Sequence, residues 1–233
     1  MDDIAKLVER LEACNAAYRS GNPLISDHAY DGLVERLRQL APDHPFLTGV
    51  EPETFDGKQE VRHPVPMLST DKAYTTEDIQ RFISRVEKAA EKTGITNTLF
   101  RVTPKLDGLA GRDDGNVLVS RGNGETGYEI SSAFAKGVVP VGGRGHGLGE
   151  IVVRQTYFQE KLSTAFEHPR NMVVGIISSD TVNKIARRAL QEKVVHFVPY
   201  SELSVWEGSG AELLANIDAI VADLTASTDY PMD

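Results

Sequence analysis

The spacing of apolar residues changes near residue 99, and that change limits the fold more than any other feature of the chain. Before it, apolar side chains recur at helical intervals. Ile4, Leu7, Val8 and Leu11 mark one helix over residues 3–14, and Tyr30, Leu33, Val34, Leu37 and Leu40 mark a second. Ser20-Gly21-Asn22-Pro23 supplies the turn between them, Ser26 or Asp27 caps the second helix, and Pro42 stops it. A hairpin of this size must pack on something else to be stable. Residues 42–66 are proline-rich and aperiodic and read as an extended linker. Thr76 with Asp78 opens a third helix, carried by Ile79, Phe82, Ile83 and Val86 to about Lys92. Beyond residue 99 come short runs broken by glycine: LFRVTPKLDGLAG, NVLVSRGNG, GVVPVGG and GEIVVRQTYF. These read as strands. Residues 180–192 and 210–225 read as helices flanking a strand at Val194–Tyr200, so an α+β chain is expected.

Composition excludes several classes. The chain has 233 residues, room for one large or two small domains. No apolar run approaches the ~18 residues of a membrane span, and the N-terminal MDDIAKLVERLEA is too acidic for a secretory signal. No membrane association and a cytoplasmic location are expected. The single cysteine, Cys14, rules out an internal disulfide and a cysteine-rich zinc site, and reads as a small core residue. A net charge of −9 argues against tight, autonomous binding to duplex DNA, which needs a basic face.

Lys105-Leu106-Asp107-Gly108 closes a predicted strand and carries the most specific chemistry. An amine attacks phosphorus only when unprotonated, and a free lysine side chain titrates near ~10.4. A dry, phosphate-facing pocket with a nearby cation lowers that value. Gly108 would let the backbone approach a nucleotide closely. Alone, K-x-D-G is a weak signal. Its companions strengthen it: His63-Pro64-Val65-Pro66-Met67-Leu68-Ser69 before it, then Ser120-Arg121-Gly122-Asn123-Gly124, Gly149-Glu150-Ile151-Val152 and Phe166-Glu167-His168-Pro169-Arg170-Asn171 after it.

This succession resembles the adenylation domain of NAD-dependent DNA ligases, which show H-x-x-P-M-L-S, K-x-D-G, T-R-G-D-G, R-G-E-V and F-x-N-P-R-N in that order. Ile25-Ser26-Asp27-His28-Ala29-Tyr30-Asp31, with Tyr18 upstream, is similar to the family's I-x-D-x-x-Y-D segment, so the resemblance covers nearly the whole chain. It implies a helical domain over residues 1–62, linker included, that binds nicotinamide mononucleotide. A nucleotidyltransferase domain of ATP-grasp-like ligase type would follow over residues 63–233. Tyr18, Asp27, Tyr30 and Asp31 then match the grip on the nicotinamide half of NAD, and Ser69 the adenosine contact. Lys105 matches the nucleophile and Asp107 the carboxylate beside it. Arg121 and Glu150 match the ribose and phosphate lining, and Arg170 a phosphate-contacting arginine. Taken singly these residues have ordinary roles too: Tyr30 core, Asp27 a cap, Asp31 a solvated helix carboxylate, Glu150 a strand-edge charge, Ser69 and Asp107 turn formers, Arg121 and Arg170 surface arginines. His63 and His168 read as structural rather than as metal ligands, and no residue is assigned to a metal.

The chain also departs from the pattern. Thr103 stands where the family has an adenine-contacting glutamate, Asn123 replaces the R-G-D-G aspartate, and Ala17 an aromatic residue. Ser178 stands where a second phosphate-side arginine is expected. Asp229-Tyr230-Pro231-Met232-Asp233 resembles the lead-in to the family's D-G-V-V-x-K strand, at which this sequence stops. The domain is therefore expected to lack its C-terminal strands, as in a shortened chain or one subunit of a two-polypeptide, phage-type ligase. The implied reaction is attack of Lys105 on the α-phosphorus of NAD, with Mg²⁺ offsetting phosphate charge. Nicked DNA would be sealed only with further C-terminal domains or a second subunit. The alternative is a ligase-like subunit, weak or inactive in catalysis, that binds NAD or completes a partner.

Overall fold

The computed structural model describes residues 2–19, 24–48, 55, 57–68, 71–179 and 181–233. Helices α1 (Asp2–Arg19) and α2 (Asp27–Leu40) form the hairpin expected from their apolar spacing. Leu7, Leu11 and Leu37 are buried between them, with Ile4, Val8, Tyr30, Leu33 and Val34 packed around. Ser26 is the cap of α2: its Oγ accepts the Ala29 N–H at 3.3 Å. Cys14 is buried, as expected of a small core residue.

The proline-rich stretch is not a plain linker. Pro45 starts the short helix α3 (Pro45–Thr48), where a fixed φ suits the first helical position. Strand β1 (Glu60–Arg62) then pairs antiparallel with β5 (Thr126–Tyr128). Phe55 is buried in the main core, edge-on to Tyr128 with 5.7 Å between ring centroids. No local period announces these contacts, because the partners come from far along the chain.

Helix α4 (Thr76–Lys92) carries the capping box of Thr75 and Asp78. It packs with α9 (Gly210–Ala226), itself capped reciprocally by Ser209 and Glu212. Beside them β2 (Phe100–Val102) pairs antiparallel with β9 (Trp206–Gly208). Ile83, Phe100, Leu213, Ile220 and Leu224 form the core of this layer.

The largest sheet has the order β4-β3-β7-β8-β6. Its strands are β3 (Leu109–Asp113), β4 (Leu118–Ser120), β6 (Val139–Pro140), β7 (Gly147–Val153) and β8 (Val195–Pro199). Only β6 and β8 run parallel among these pairs. One face is covered by α5 (Ser132–Lys136), by α6 (Gln155–Tyr157) with its π-helical continuation Phe158–Leu162, and by α7 (Pro169–Ser178) and α8 (Lys184–Gln191). Leu109, Leu118, Ile151, Phe197, Met172 and Ile176 are among the side chains that close this core. On the other face Leu106, Val152 and Val198 are buried with Tyr230 and Met232 packed against them.

Gly108 has a structural reason that its motif alone does not disclose. A Cβ there would collide with the Ile151 carbonyl oxygen and lie 2.7 Å from a Val152 methyl, so β7 can approach only a glycine. Gly108→Ala is expected to destabilise the chain by about 1–3 kcal/mol, as overpacking of a closed core does. Urea denaturation measures it, and an unchanged midpoint would mean that β7 shifts freely to make room.

Candidate functional site

Lys105 does not close a regular strand as its sequence suggests. It lies in the irregular segment between β2 and β3, and the C-terminal residues pin that segment. Leu106 bridges Met232 antiparallel, the Asp107 N–H donates to the Pro231 carbonyl at 2.9 Å, and the Asp233 N–H donates to the Lys105 carbonyl at 3.0 Å. The Lys105 ammonium pairs with the Asp233 carboxylate. The side chain nonetheless leans out, 61% exposed.

Two other elements bring charges to this point, and a third brings a hydroxyl. Glu150 sits in the middle of β7, in register with Ala110 on β3 and Val198 on β8, and is 5% exposed. Arg170 stands at the start of α7 with Nη1 3.9 Å from the Asp107 carboxylate. Tyr200, directly after β8, donates its hydroxyl to Glu150 Oε2 at 2.6 Å. Partial desolvation at the base of this half-exposed side chain lowers the Lys105 pKa, against the upward pull of Asp107 and Glu150 and with help from the positive charges of Lys72 and Arg170. Burial also pushes the Glu150 carboxyl up to about 7, although the Tyr200 hydrogen bond and Arg170 oppose it. The Tyr200 hydroxyl is driven upward by its own burial and by Glu150.

The Glu150 shift has a stability consequence with a definite sign. A carboxyl raised above its ordinary 4.5 binds its proton more tightly in the folded chain, so stability is full below 4.5 and declines as pH rises through about 7. Glu150→Gln keeps an oxygen for Tyr200 and carries no charge at any pH. Relative to this variant, the native chain is expected to lose about 3 kcal/mol of unfolding free energy between pH 4 and pH 8. Denaturation at both pH values tests it; equal losses in the two proteins would sink the assignment.

Of the remaining residues singled out from sequence, Thr103 is exposed two positions before Lys105. Arg121 follows β4, donates its N–H to the Ala110 carbonyl at 2.8 Å and its Nε to the Met67 carbonyl at 3.3 Å. His63 is buried and its Nε2 lies 3.2 Å from the Arg121 carbonyl, so the first motif and the arginine motif are joined directly. His168 is the N-cap residue of α7. Asn123 closes its own turn, accepting the Glu125 and Thr126 N–H groups at 2.9 and 2.8 Å. Ser178 is exposed at the opposite end of α7 from Arg170.

On the hairpin, Tyr30 packs against the hairpin core. The Asp31 carboxylate accepts Lys72 Nζ and the Tyr74 hydroxyl, each at 2.6 Å. Tyr18 ends α1 and Asp27 begins α2, but their side chains lie outside the described part, as does Ser69 altogether. Lys72, Tyr74 and Tyr200 are absent from the sequence-based list. Only their positions, two shortly after the H-x-x-P-M-L-S stretch and one after a buried strand, could have drawn notice.

A lysine, two carboxylates and an arginine thus converge from three separate segments, and residues 56–222 match the family described as NAD-dependent DNA ligase adenylation domain. The chain belongs to that family. It is 61% identical over 233 residues to a DNA ligase of Desulfatibacillum aliphaticivorans, covering all of this chain and 37% of that protein. It is 44% identical over 232 residues to one of Desulfotalea psychrophila and 41% to one of Shewanella baltica, covering 34% and 36% of those proteins. The chain thus spans little more than a third of the length of the relatives it matches. Among the described residues no helix is long and apolar enough to cross a membrane.

Proposed function

We propose that this chain is the NAD-consuming adenylation module of a DNA ligase. Residues 1–62 would receive the nicotinamide mononucleotide end of NAD and residues 63–233 its adenylate end. The observation that carries this reading is the convergence of Lys105, Asp107 and Arg170 around Glu150 of the central strand β7. The unprotonated Lys105 Nζ attacks the α-phosphorus of NAD; the bond to the distal phosphate breaks, and nicotinamide mononucleotide leaves with the electron pair. The nitrogen, now bearing two hydrogens and a positive charge, sheds one proton to solvent and keeps the other, leaving lysyl-AMP. Arg170 and Arg121 supply fixed guanidinium donors for phosphate or ribose oxygens. Before attack the Lys105–Asp233 pair must part, which phosphate charge near Lys105 would promote.

Tyr18, Asp27, Tyr30 and Asp31 would hold the nicotinamide half, Ser69 and Thr103 the adenosine, and Glu150 the ribose. Mg²⁺ binds chiefly through substrate phosphates and water, a role for which this site needs no dedicated cage; when bound it supplies neutralisation of phosphate charge. Transfer of AMP to a DNA 5′-phosphate and sealing of the nick would call on domains or a subunit beyond the segment described, in a cytoplasmic setting of replication or repair.

A second reading is a ligase-like subunit with weak or no catalysis that binds NAD or completes a partner. It is favoured by Asn123, whose side chain is spent on its own turn, and by the exposed Ser178. Incubation with NAD and Mg²⁺ followed by intact-mass measurement separates the two. A gain of one AMP supports the module, whereas NAD binding without a gain supports the second reading.

A further inference from the structure

We propose that His196 is a positioning residue for the nucleophile segment: through the Tyr230 hydroxyl, its neutral ring holds the C-terminal segment against which Lys105 and its neighbours are paired. The inference rests on the reading of Lys105 as nucleophile. Its geometric basis is a short chain of contacts. On β8 the side chains of His196 and Val198 share a face, and that face is the one on which Leu106, Tyr230 and Met232 pack. His196 is buried there, with Nδ1 2.6 Å from the Tyr230 hydroxyl and Nε2 2.9 Å from the Lys193 carbonyl oxygen. The Tyr230 ring meets the imidazole edge-on, with 5.7 Å between centroids. One residue beyond Tyr230, the Pro231 carbonyl accepts the Asp107 N–H, and Met232 then bridges Leu106. One residue before it, the Asp229 carboxylate accepts the Thr156 N–H and hydroxyl at 2.9 and 2.8 Å. Tyr230 is thus an inner link of a clasp, residues 229–233, whose far half pairs with the Lys105 segment.

The partners of the ring decide its tautomer. A carbonyl oxygen only accepts, so Nε2 carries the ring proton and Nδ1 accepts the Tyr230 hydroxyl. The direction of that carbonyl is set by the turn after α8, where Lys193 sits in the left-handed region at φ 55°. A second proton on the ring would set an N–H against the phenolic O–H and turn the hydroxyl out of its bond. The surroundings resist that proton. Arg154, just ahead of α6, adds a positive charge, Tyr230 and the Lys193 carbonyl are the polar neighbours, and Val139 on β6 and Val152 on β7 flank the residue in the sheet. Burial, with the Arg154 charge, holds the imidazole below its ordinary 6.5 against the pull of the Lys193 carbonyl. A histidine shifted this way contributes its full stability above 6.5 and withdraws it as pH falls below, because the unfolded chain takes up the proton first. The clasp is expected to loosen over the same range, which ties placement of the nucleophile to the charge of a residue outside the reacting groups.

The test is amide hydrogen exchange on the whole chain, read by mass spectrometry on peptides covering residues 105–107 and 229–233 and corrected for the intrinsic effect of pH. Tyr230→Phe keeps the ring and removes only the hydroxyl. It is expected to speed exchange of these peptides about fivefold at neutral pH, the weight of one hydrogen bond net of solvent, and to leave peptides of β3 and β7 unchanged. Native protection of residues 105–107 should fall as pH drops below 6.5. His196→Asn keeps an acceptor near the Nδ1 position and leaves Glu150 in place, yet takes no proton in that range, so it should lose the fall. Unchanged exchange at residues 105–107 in Tyr230→Phe overturns the proposal, as does faster exchange of all peptides together, which marks a packing role alone. An equal acid response in His196→Asn removes His196 from it. Where the native chain forms lysyl-AMP, Tyr230→Phe should slow that step severalfold at saturating NAD with NAD affinity kept, since a small displacement of a nucleophile is costly. A native rate beside a loosened segment overturns the link to the nucleophile. Where the native chain forms none, the adenylation reading fails while exchange still decides the clasp.

Discussion

Replacing Lys105 with alanine is expected to abolish AMP attachment, a loss of at least ~10³-fold set by the detection limit, because no other group takes over an absent covalent nucleophile. Lys105→Arg sharpens the result. A guanidinium keeps the charge and can still meet Asp233, yet it stays protonated at any working pH. If the role of Lys105 were to attract phosphate, the arginine variant would keep much of its activity. If it is nucleophilic, both variants fail alike while NAD binding persists. Both should unfold close to the native temperature, since the side chain is more than half exposed and the pinning bonds of residues 105–107 are made by backbone. Intact mass after incubation with NAD, together with calorimetric NAD binding, distinguishes these outcomes. An adduct surviving in Lys105→Ala would move the nucleophile elsewhere.

Why this lysine was legible from sequence, while its surroundings were only partly so, follows from the range of the interactions involved. Caps are local: Ser26 and the Thr75–Asp78 box act within four residues, and the helices they open begin as expected. The strand at residues 195–199 and the helix from Gly210 also follow local spacing. Helix α7 does not. Pro-Arg-Asn-Met-Val-Val-Gly-Ile-Ile-Ser is short, rich in β-branched residues and buried at four positions, so its apolar residues trace no clean helical stripe. The pairing of β2 with β9 and of Leu106 with Met232 spans more than a hundred residues, beyond the reach of any window. The same division runs through the site. Lys105, Asp107, Glu150 and Arg170 stood out because their motifs keep an order, and folding does draw those residues together. Tyr200 against Glu150 and Lys72 against Asp31 are contacts between segments 50 and 41 residues apart, and neither side advertises the other. Glu150 shows the limit plainly, since its burial and raised pKa arise from strands on both sides rather than from its neighbours in the chain.

The largest stability effect is expected at a carboxylate outside every motif. Asp113 ends β3 with 0% exposure and is the most enclosed charge in the sheet. Arg144 grips it with Nε and Nη2, both at 2.7 Å, while the N–H groups of Gly145 and Gly115 donate at 2.9 and 3.2 Å. The guanidinium also lies 4.1 Å from the centre of the Phe134 ring. Burial acts to raise the Asp113 carboxyl, but these hydrogen bonds and the Arg144 charge outweigh it and hold the group below the usual carboxylate range. Asp113→Ala would strand a cation and two N–H donors, and a loss of about 3–5 kcal/mol is expected at pH 7. Because the folded value is depressed, this contribution is present above the ordinary carboxylate pKa and fades as pH falls through the folded one, so the gap to the native chain should narrow in acid. Adding Arg144→Ala should recover part of the loss by removing the stranded charge. Asp113 is in register with Gly147, the first residue of β7, so the clamp fixes the β3–β7 pair that carries Glu150 and follows directly on the Asp107 segment. A loss below 1 kcal/mol in urea denaturation would mean that the pair holds its register without the clamp, and that the site owes its geometry to the strand ladder alone.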